Sequence, residues 1–367
     1  MSRLPPRFPA LAAVASTAGA LAAVAVTTGA LLVAGCGTAP ARSPAATSGL
    51  AVRPALATAA VTAAGSGLAI IEMGGPAAQD NNYWQLFTRA GAAAPWRLAT
   101  PKGVADNGGL VVAQRGQGSL VTGFLPSQDL TFSPLATSSD DGTSWSQGLV
   151  SGGLAGLPGA LAAAPDGRLL AILGSGAVQL SAPGGTSWQR LTTERALAST
   201  PAGRACGLLR LTGGAFGIAA QPLLAGQCSR PGVAGIFAFR DGTWQAAGPA
   251  LPAGLAGRRA EVAALAGTSS GEVALLATGT GSGKTLVAAW AGGKAGSWRL
   301  SSPFRLGASE LRSASLGGDG EIGITQIAST GATLAGPGSS WRTLAALPAR
   351  TATLVPGPGA QIGRAHV

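Results

Sequence analysis

The chain contains 367 residues, of which 46% are hydrophobic and 11% are charged, and it includes 58 glycines and 24 prolines. So many residues that favour turns exclude a long helical bundle, and the length allows one large domain or two of ordinary size. The net charge of +11 comes without a basic block beyond Arg258 and Arg259, so solvated surface arginines explain it best.

The first predicted segment is an export signal at residues 1–35, in which Arg3 and Arg7 precede an apolar run. The run ends in Val-Ala-Gly followed by Cys36, and these four residues resemble a bacterial lipobox. The resemblance implies that Cys36 is acylated and anchors the exported protein to the outer face of the cell membrane. A transmembrane anchor, the alternative, needs no cysteine at its outer end. A nucleic-acid partner does not fit a location outside the cell.

Residues 36–66 comprise the lipidated Cys36 and a stretch of small residues with prolines, which predicts a flexible tether. The other two cysteines, Cys206 and Cys228, form an even pair in an exported chain, and this predicts a disulfide. A metal site is the weaker alternative because no further cysteine or histidine ligands accompany the pair. We expect the disulfide to staple an insertion, residues 207–227, within one repeat.

Six tryptophans recur about every 50 residues along the rest of the chain, at positions 96, 145, 188, 244, 298 and 341. Short apolar runs bounded by Gly, Asp or Pro lie between them, at residues 109–114, 119–125, 168–173, 271–278, 285–290 and 321–327. A repeat of this period with several strands per unit predicts an all-β chain, a β-propeller with four-stranded blades.

One repeat contains the sequence Ser-Ser-Asp-Asp-Gly-Thr-Ser-Trp, from Ser138 to Trp145. It resembles the Asp-box of sialidase-type propellers (BNR repeats), which are also found in bacterial surface lipoproteins. The Asp140 carboxylate can accept hydrogen bonds within a tight turn, Gly142 permits a positive φ, and Trp145 can pack between blades. The resemblance implies that these four residues, Ser138 included, are structural and lie away from the ligand face.

The propeller is expected to span residues 67–361 in about six visible four-stranded blades. The first blade has no obvious innermost strand, whereas residues 351–356 look like an innermost strand without a blade. This strand either completes the first blade or belongs to a seventh blade whose remainder is missing. Residues 362–367 match the translation of a sequencing adapter, so we interpret them as an artefact and expect the native sequence to differ beyond about residue 361.

The sequence assigns no catalytic residue, metal or cofactor. Residues 278–285 imitate a phosphate-binding loop, but the strand that follows them favours a hairpin turn. Tyr83 is the one tyrosine, and the arginine triad and acids that accompany the tyrosine nucleophile of sialidases are not recognisable. The one histidine, His366, lies in the adapter-like end. Asp80, Asn81 and Asn82 favour an ordinary loop over a calcium site.

These features favour a lipid-anchored, non-catalytic binding or scaffold module whose partner is a protein or an envelope glycan. A propeller suits this role because a rigid ring presents variable loops. The alternatives are a glycoside hydrolase of sialidase type, which rests on analogy of fold, and an assembly factor for a membrane complex. We expect the protein to be a monomer.

Overall fold

The computed structural model describes the chain from Ala57 to Thr343, within one compact unit that spans Ala51–Val367. It leaves out residues 62–66, 74–82, 91–93, 103–109, 117, 125–134, 147–153, 155, 157, 186, 269, 280–282, 293–296, 308–310, 317–319, 327–331 and 338–339. The predicted export signal, Cys36, the segment 80–82 and everything after Thr343 lie outside the described residues.

The described residues form five antiparallel sheets, in which six units follow one another in chain order, and we call these units blades 1 to 6. Blades 4 and 5 share one nine-stranded sheet, because Gln227 pairs with Glu261. Blades 1 and 2 contain β1 (Ala57–Val61), β2 (Gly67–Met73), β3 (Tyr83–Arg89), β4 (Arg97–Leu98), and then β5 (Leu110–Gly116), β6 (Ser119–Phe124) and β7 (Leu135–Ser138). Blade 3 contains β8 (Pro158–Ala163), β9 (Leu169–Leu173), β10 (Ala177–Ser181) and β11 (Trp188–Thr193).

The second half of the domain repeats this arrangement. Blade 4 contains β12 (Leu208–Phe216), β13 (Pro222–Cys228), β14 (Gly235–Arg240) and β15 (Thr243–Ala246). Blade 5 contains β16 (Ala260–Thr268), β17 (Gly271–Thr278), β18 (Thr285–Ala291), β19 (Trp298–Leu300) and the short β20 (Phe304–Arg305), which pairs with β18. Blade 6 contains β21 (Leu311–Leu316), β22 (Ile322–Gln326), β23 (Ala332–Ala335) and β24 (Arg342–Thr343).

Both faces of β9, β17 and β18 are buried, which is why their apolar runs are continuous. In β9, Leu170 and Ile172 pack towards blade 4, whereas Leu169, Ala171 and Leu173 pack towards blade 2. Strand side chains alternate between the two faces, so one run of five buried residues supplies two cores. A single blade therefore cannot shield its own apolar surface, and the stacking of neighbours does so.

Five apolar cores join the blades in sequence. Each core combines residues of two successive blades, for example Leu86 with Leu120, Leu135 with Leu169, Leu170 with Leu224, Leu223 with Leu276, and Leu275 with Ile324. The first strand of blade 1, β1, also contacts the first strand of blade 6, β21, so the first and last blades adjoin. Burying one such leucine contributes about 1.5–3 kcal/mol. The chain is an all-β propeller with six blades in its described part.

The repeated tryptophans lie within the fourth strand or directly before it in blades 1 and 3 to 6, and Trp145 lies at the end of the turn that follows the third strand of blade 2. Several of their indole N–H groups donate a hydrogen bond to the preceding blade: Trp145 to the Ala99 carbonyl (2.7 Å), Trp298 to Ala247 (2.7 Å) and Trp341 to Ser302 (2.9 Å). Each acceptor lies three or four residues after the tryptophan of that preceding blade. The same side chain thus defines the repeat and ties each of these blades to its neighbour.

The start of the propeller differs from the sequence prediction. Residues 57–61, which we placed in the tether, form β1 and pair with β2 from Ala57 with Ile71 to Val61 with Gly67. Blade 1 therefore has its innermost strand from the N-terminal side. The alanine-rich run gave no alternation of polar and apolar residues that would distinguish a strand from a linker.

The predicted insertion is also placed differently. Residues 207–227 contain β12 and β13, the first two strands of blade 4, and the added elements are the helices α1 (Glu194–Ala198) and α2 (Pro201–Cys206) that precede them. Thr193 caps α1 by accepting from the Ala196 amide, and Thr200 caps α2 in the same way. Gly207 ends α2 with a φ of 64°, as helix-terminating glycines do.

Candidate functional site

The 138–145 turn follows the third strand of blade 2 and is held by its own side chains. Ser138 donates from Oγ to Asp140 Oδ1 (2.8 Å) and accepts from the Gly142 amide (2.8 Å). Asp140 also accepts from the Ser144 amide (2.9 Å) and hydroxyl (2.6 Å). These hydrogen bonds, those from Ser144 above all, lower the pKa of Asp140 from 3.8 to about 2. The carboxylate is thus engaged in holding the turn.

The other members of this turn also make structural contacts. Asp141 and Gly142 have φ angles of 56° and 76°, which suits a tight reversal of the chain. A Cβ on Gly142 would lie 2.8 Å from the Ala99 side chain of blade 1. Trp145 packs against the core between blades 1 and 2 and donates to the Ala99 carbonyl. The turn therefore fastens blade 2 to blade 1.

Cys206 and Cys228 form a disulfide that joins the end of α2 to the end of β13. Cys228 is fully buried and Cys206 is 6% exposed, within the core between blades 3 and 4. The bridge fixes the two helices to blade 4.

The remaining sequence candidates contribute no site. The backbone of Tyr83 begins β3. Residues 271–278 and 285–291 form an antiparallel hairpin, from Thr278 paired with Thr285 to Val273 paired with Trp290, which confirms the predicted turn. Within the described ranges there is no group of three or more His, Cys, Asp or Glu residues that could hold a metal. No helix in those ranges is long and apolar enough to cross a membrane.

A cavity of about 260 Å³ opens between blades 4 and 5, and we call it the inter-blade pocket. Its walls combine apolar side chains with one carboxylate and one guanidinium: Leu223, Ala246, Ala291, Trp298, Glu272 and Arg240. Glu272 follows the turn between the first two strands of blade 5, and Arg240 precedes the turn between the last two strands of blade 4. In an antiparallel meander these two kinds of turn lie at the same edge.

Glu272 and Arg240 both line this pocket and attract each other, but they form no ion pair within 4 Å. Burial raises the pKa of the Glu272 carboxyl, and the attraction of the Arg240 guanidinium opposes that rise. Apart from the amide of Glu272 itself, no group in the described part of the chain donates a hydrogen bond to this carboxylate. Arg240 uses its Nε to donate to Gln221 Oε1 (3.2 Å), and its terminal nitrogens have no acceptor among the described residues. Both groups therefore retain hydrogen-bonding capacity.

Neighbouring residues position Arg240 and Trp298 and leave space for Glu272. Gln221 donates from Nε2 to the Phe239 carbonyl (2.9 Å), so the amide oxygen that receives Arg240 is itself fixed. Gly217 leaves room for the carboxylate, because a Cβ there would lie 2.8 Å from Glu272 Oε1. The Trp298 indole is anchored on the Ala247 carbonyl. The pocket thus presents one acceptor together with a donor group and an aromatic wall that neighbouring residues hold in place.

No sequence motif marks this pocket, and the resemblance to Asp-box propellers predicts ligands at the edge opposite the 138–145 turn. That turn also follows a third strand, so the charged groups of the pocket lie at its edge of the sheets. One signal was present in the sequence: Glu272 is the only charged residue in the apolar strand Gly271–Thr278. Its partner could not be inferred, because Arg240 belongs to another repeat.

No protein-family model matches the chain, and no curated protein matches its sequence. Similar solved structures include YCF48 bound to D1 peptide, at 16% identity and a TM-score of 0.45, covering 79% of this chain and 81% of that one. YCF48 from Cyanidioschyzon merolae is 13% identical with a TM-score of 0.47, covering 81% and 87%. The six-bladed fucose-recognising lectin of Aleuria aurantia is 14% identical with a TM-score of 0.43, covering 81% and 96%. These likenesses concern the fold alone.

Proposed function

We propose that this protein is a non-catalytic binding module, held at the outer face of the cell membrane by lipid on Cys36, and that it binds a glycan of the cell envelope. The observation that carries the proposal is the inter-blade pocket. A carboxylate and a guanidinium both line it, the guanidinium is held by Gln221, and both groups have hydrogen-bonding capacity left over. Both residues are half-buried, and a few polar groups that converge in an otherwise apolar cavity are suited to a polar ligand.

Binding is favoured over hydrolysis by the number of carboxyl groups. Glycosidases act with two carboxyl groups on either side of the scissile bond, about 5–10 Å apart. Glu272 is the one acid among the residues described at the pocket wall. Turnover of an aryl sialoside by the purified protein, abolished in Glu272→Gln, would instead support the hydrolase alternative.

The 138–145 turn, with its self-contained hydrogen bonds, supports the inferred relationship to Asp-box propellers.

The location at the outer face of the membrane is inferred from the lipobox resemblance at Cys36 and from the tether after it. Lipidation predicts that the full-length protein partitions into detergent and incorporates a clickable fatty acid. The Cys36→Ala variant should do neither, and incorporation by that variant would contradict the assignment.

Glycan binding is tested by sedimentation of the full-length protein with insoluble cell envelopes in detergent. We expect the protein to sediment with untreated and protease-treated envelopes, and to remain soluble with envelopes whose sugars were oxidised by periodate. If protease treatment abolished binding and periodate had no effect, the partner would be a protein of the envelope and not a glycan. Failure to sediment with any envelope preparation would refute the proposed function.

A further inference from the structure

We propose that the inter-blade pocket binds a single neutral sugar residue, whose hydroxyl groups bridge Glu272 and Arg240. This inference rests on the proposed function and specifies the ligand class of the same site. Three properties of the pocket carry it: its size, the balance of its charges and the nature of its walls.

The size of the pocket suits one sugar residue. Its volume of about 260 Å³ lies just below the range of roughly 300–1,000 Å³ that is usual for small-molecule sites. A monosaccharide fits such a space, whereas an extended oligosaccharide or a folded peptide segment would have to lie mainly outside it.

The charges favour a ligand that is both donor and acceptor and carries no net charge. A carboxylate accepts hydrogen bonds only, and a guanidinium donates only. A phosphate or carboxylate ligand would attract Arg240 but be repelled by Glu272, and an amine would meet the opposite conflict. Neighbouring hydroxyl groups satisfy both residues, since one can donate to Glu272 while the other accepts from Arg240. Hydrogen bonds to charged groups are also the stronger ones.

The walls suit the apolar face of a sugar ring. Ala246 and Ala291 supply methyl groups, and the Trp298 indole supplies a flat aromatic surface. The Trp298 N–H already donates to the Ala247 carbonyl, so the ring is fixed before the ligand arrives. Arg240 is fixed in the same sense by Gln221. A site organised in advance loses little conformational freedom on binding, which favours affinity for a small ligand.

Isothermal titration calorimetry on the full-length protein tests the inference. The probes are the methyl glycosides of glucose, galactose, mannose and N-acetylglucosamine, with inorganic phosphate and ethylammonium for comparison. We expect at least one glycoside to bind with a Kd of about 1 mM, as its number of atoms allows, and the two charged probes to bind at least tenfold more weakly. Preference for phosphate or ethylammonium would overturn the inference.

Glu272→Gln keeps the size of the side chain and removes its charge, so it should weaken glycoside binding about tenfold or more. Glu261→Gln is the matched control, because Glu261 lies in the same blade, pairs with Arg210 and does not line the pocket. Arg240→Gln should weaken binding as Glu272→Gln does, and unfolding temperatures check that all three variants are folded. Equal weakening in Glu261→Gln, or none in Glu272→Gln, would overturn the inference.

Envelope sedimentation of the same variants separates this inference from the proposed function. If Glu272→Gln still sediments with envelopes as the parent does, the protein binds glycan at another place and only the pocket assignment fails. If the parent itself does not sediment, the proposed function fails and the pocket assignment fails with it. Loss of both glycoside binding and sedimentation in Glu272→Gln would support both.

Discussion

Removal of the disulfide between Cys206 and Cys228 should destabilise the propeller by an amount that follows from its place in the chain. The two cysteines are 22 residues apart. Closing a loop of this length reduces the entropy of the unfolded chain and so raises its free energy by about 3.4 kcal/mol at 25 °C. Both side chains are buried between blades 3 and 4, so their truncation to alanine adds a loss of packing. We expect the double variant Cys206→Ala/Cys228→Ala to lose at least this free energy of unfolding.

Urea denaturation followed by tryptophan fluorescence measures the effect. The parent protein in reducing buffer should approach the double variant, because reduction removes the loop closure without altering the side chains' size. Cys36→Ala, which leaves the disulfide intact, should match the oxidised parent. A difference below about 1 kcal/mol between parent and double variant would refute the reasoning, since the bridge would then constrain little in the unfolded chain.

Further predictions concern single residues. Asp140 has a lowered pKa, so its stabilising effect is complete above pH 3.8 and is lost as the pH falls towards 2; thermal unfolding should show less acid loss in Asp140→Asn than in the parent. Gly267→Ala would place a Cβ 1.8 Å from the Phe216 carbonyl oxygen and should lower the free energy of unfolding, measured by urea denaturation, by about 3 kcal/mol. Gly213→Ala is the control: a Cβ there has nothing within 4 Å, so its free energy of unfolding should stay within about 1 kcal/mol of the parent's. Thr122→Val should stabilise by about 1 kcal/mol, because the buried Thr122 hydroxyl has no hydrogen-bond partner among the described residues; an unchanged denaturation midpoint would contradict this.

The sequence predicted those parts of the fold that repeat locally. The tryptophan period located the fourth strands of blades 1 and 3 to 6, and the runs 109–114, 168–173 and 321–327 correspond to β5, β9 and β22 within a few residues. These patterns depend on residues that are close together in the sequence: an apolar run alternates between two cores, and a turn ends it. They can therefore be recognised within a single blade.

What the sequence could not predict depends on distant pairing. Residues 57–61 become a strand because β2 pairs with them, and their alanine-rich sequence resembles a linker. The inter-blade pocket combines Arg240 of one repeat with Glu272 of the next, which no pattern within either repeat brings together. The lone acid in an apolar strand was the one local signal, and it indicates an unusual position without naming its partner.

The indole bonds between blades bear on how a chain of this kind can change length. The indole N–H of the tryptophan in one blade donates to a carbonyl that lies three or four residues after the tryptophan of the preceding blade. The same spacing therefore recurs at each of these junctions. Duplication or loss of a whole unit would preserve this spacing at the new junction, whereas an insertion between a tryptophan and its acceptor position would disrupt one bond. Blade number can therefore vary in evolution with few compensating substitutions, provided that whole units are exchanged.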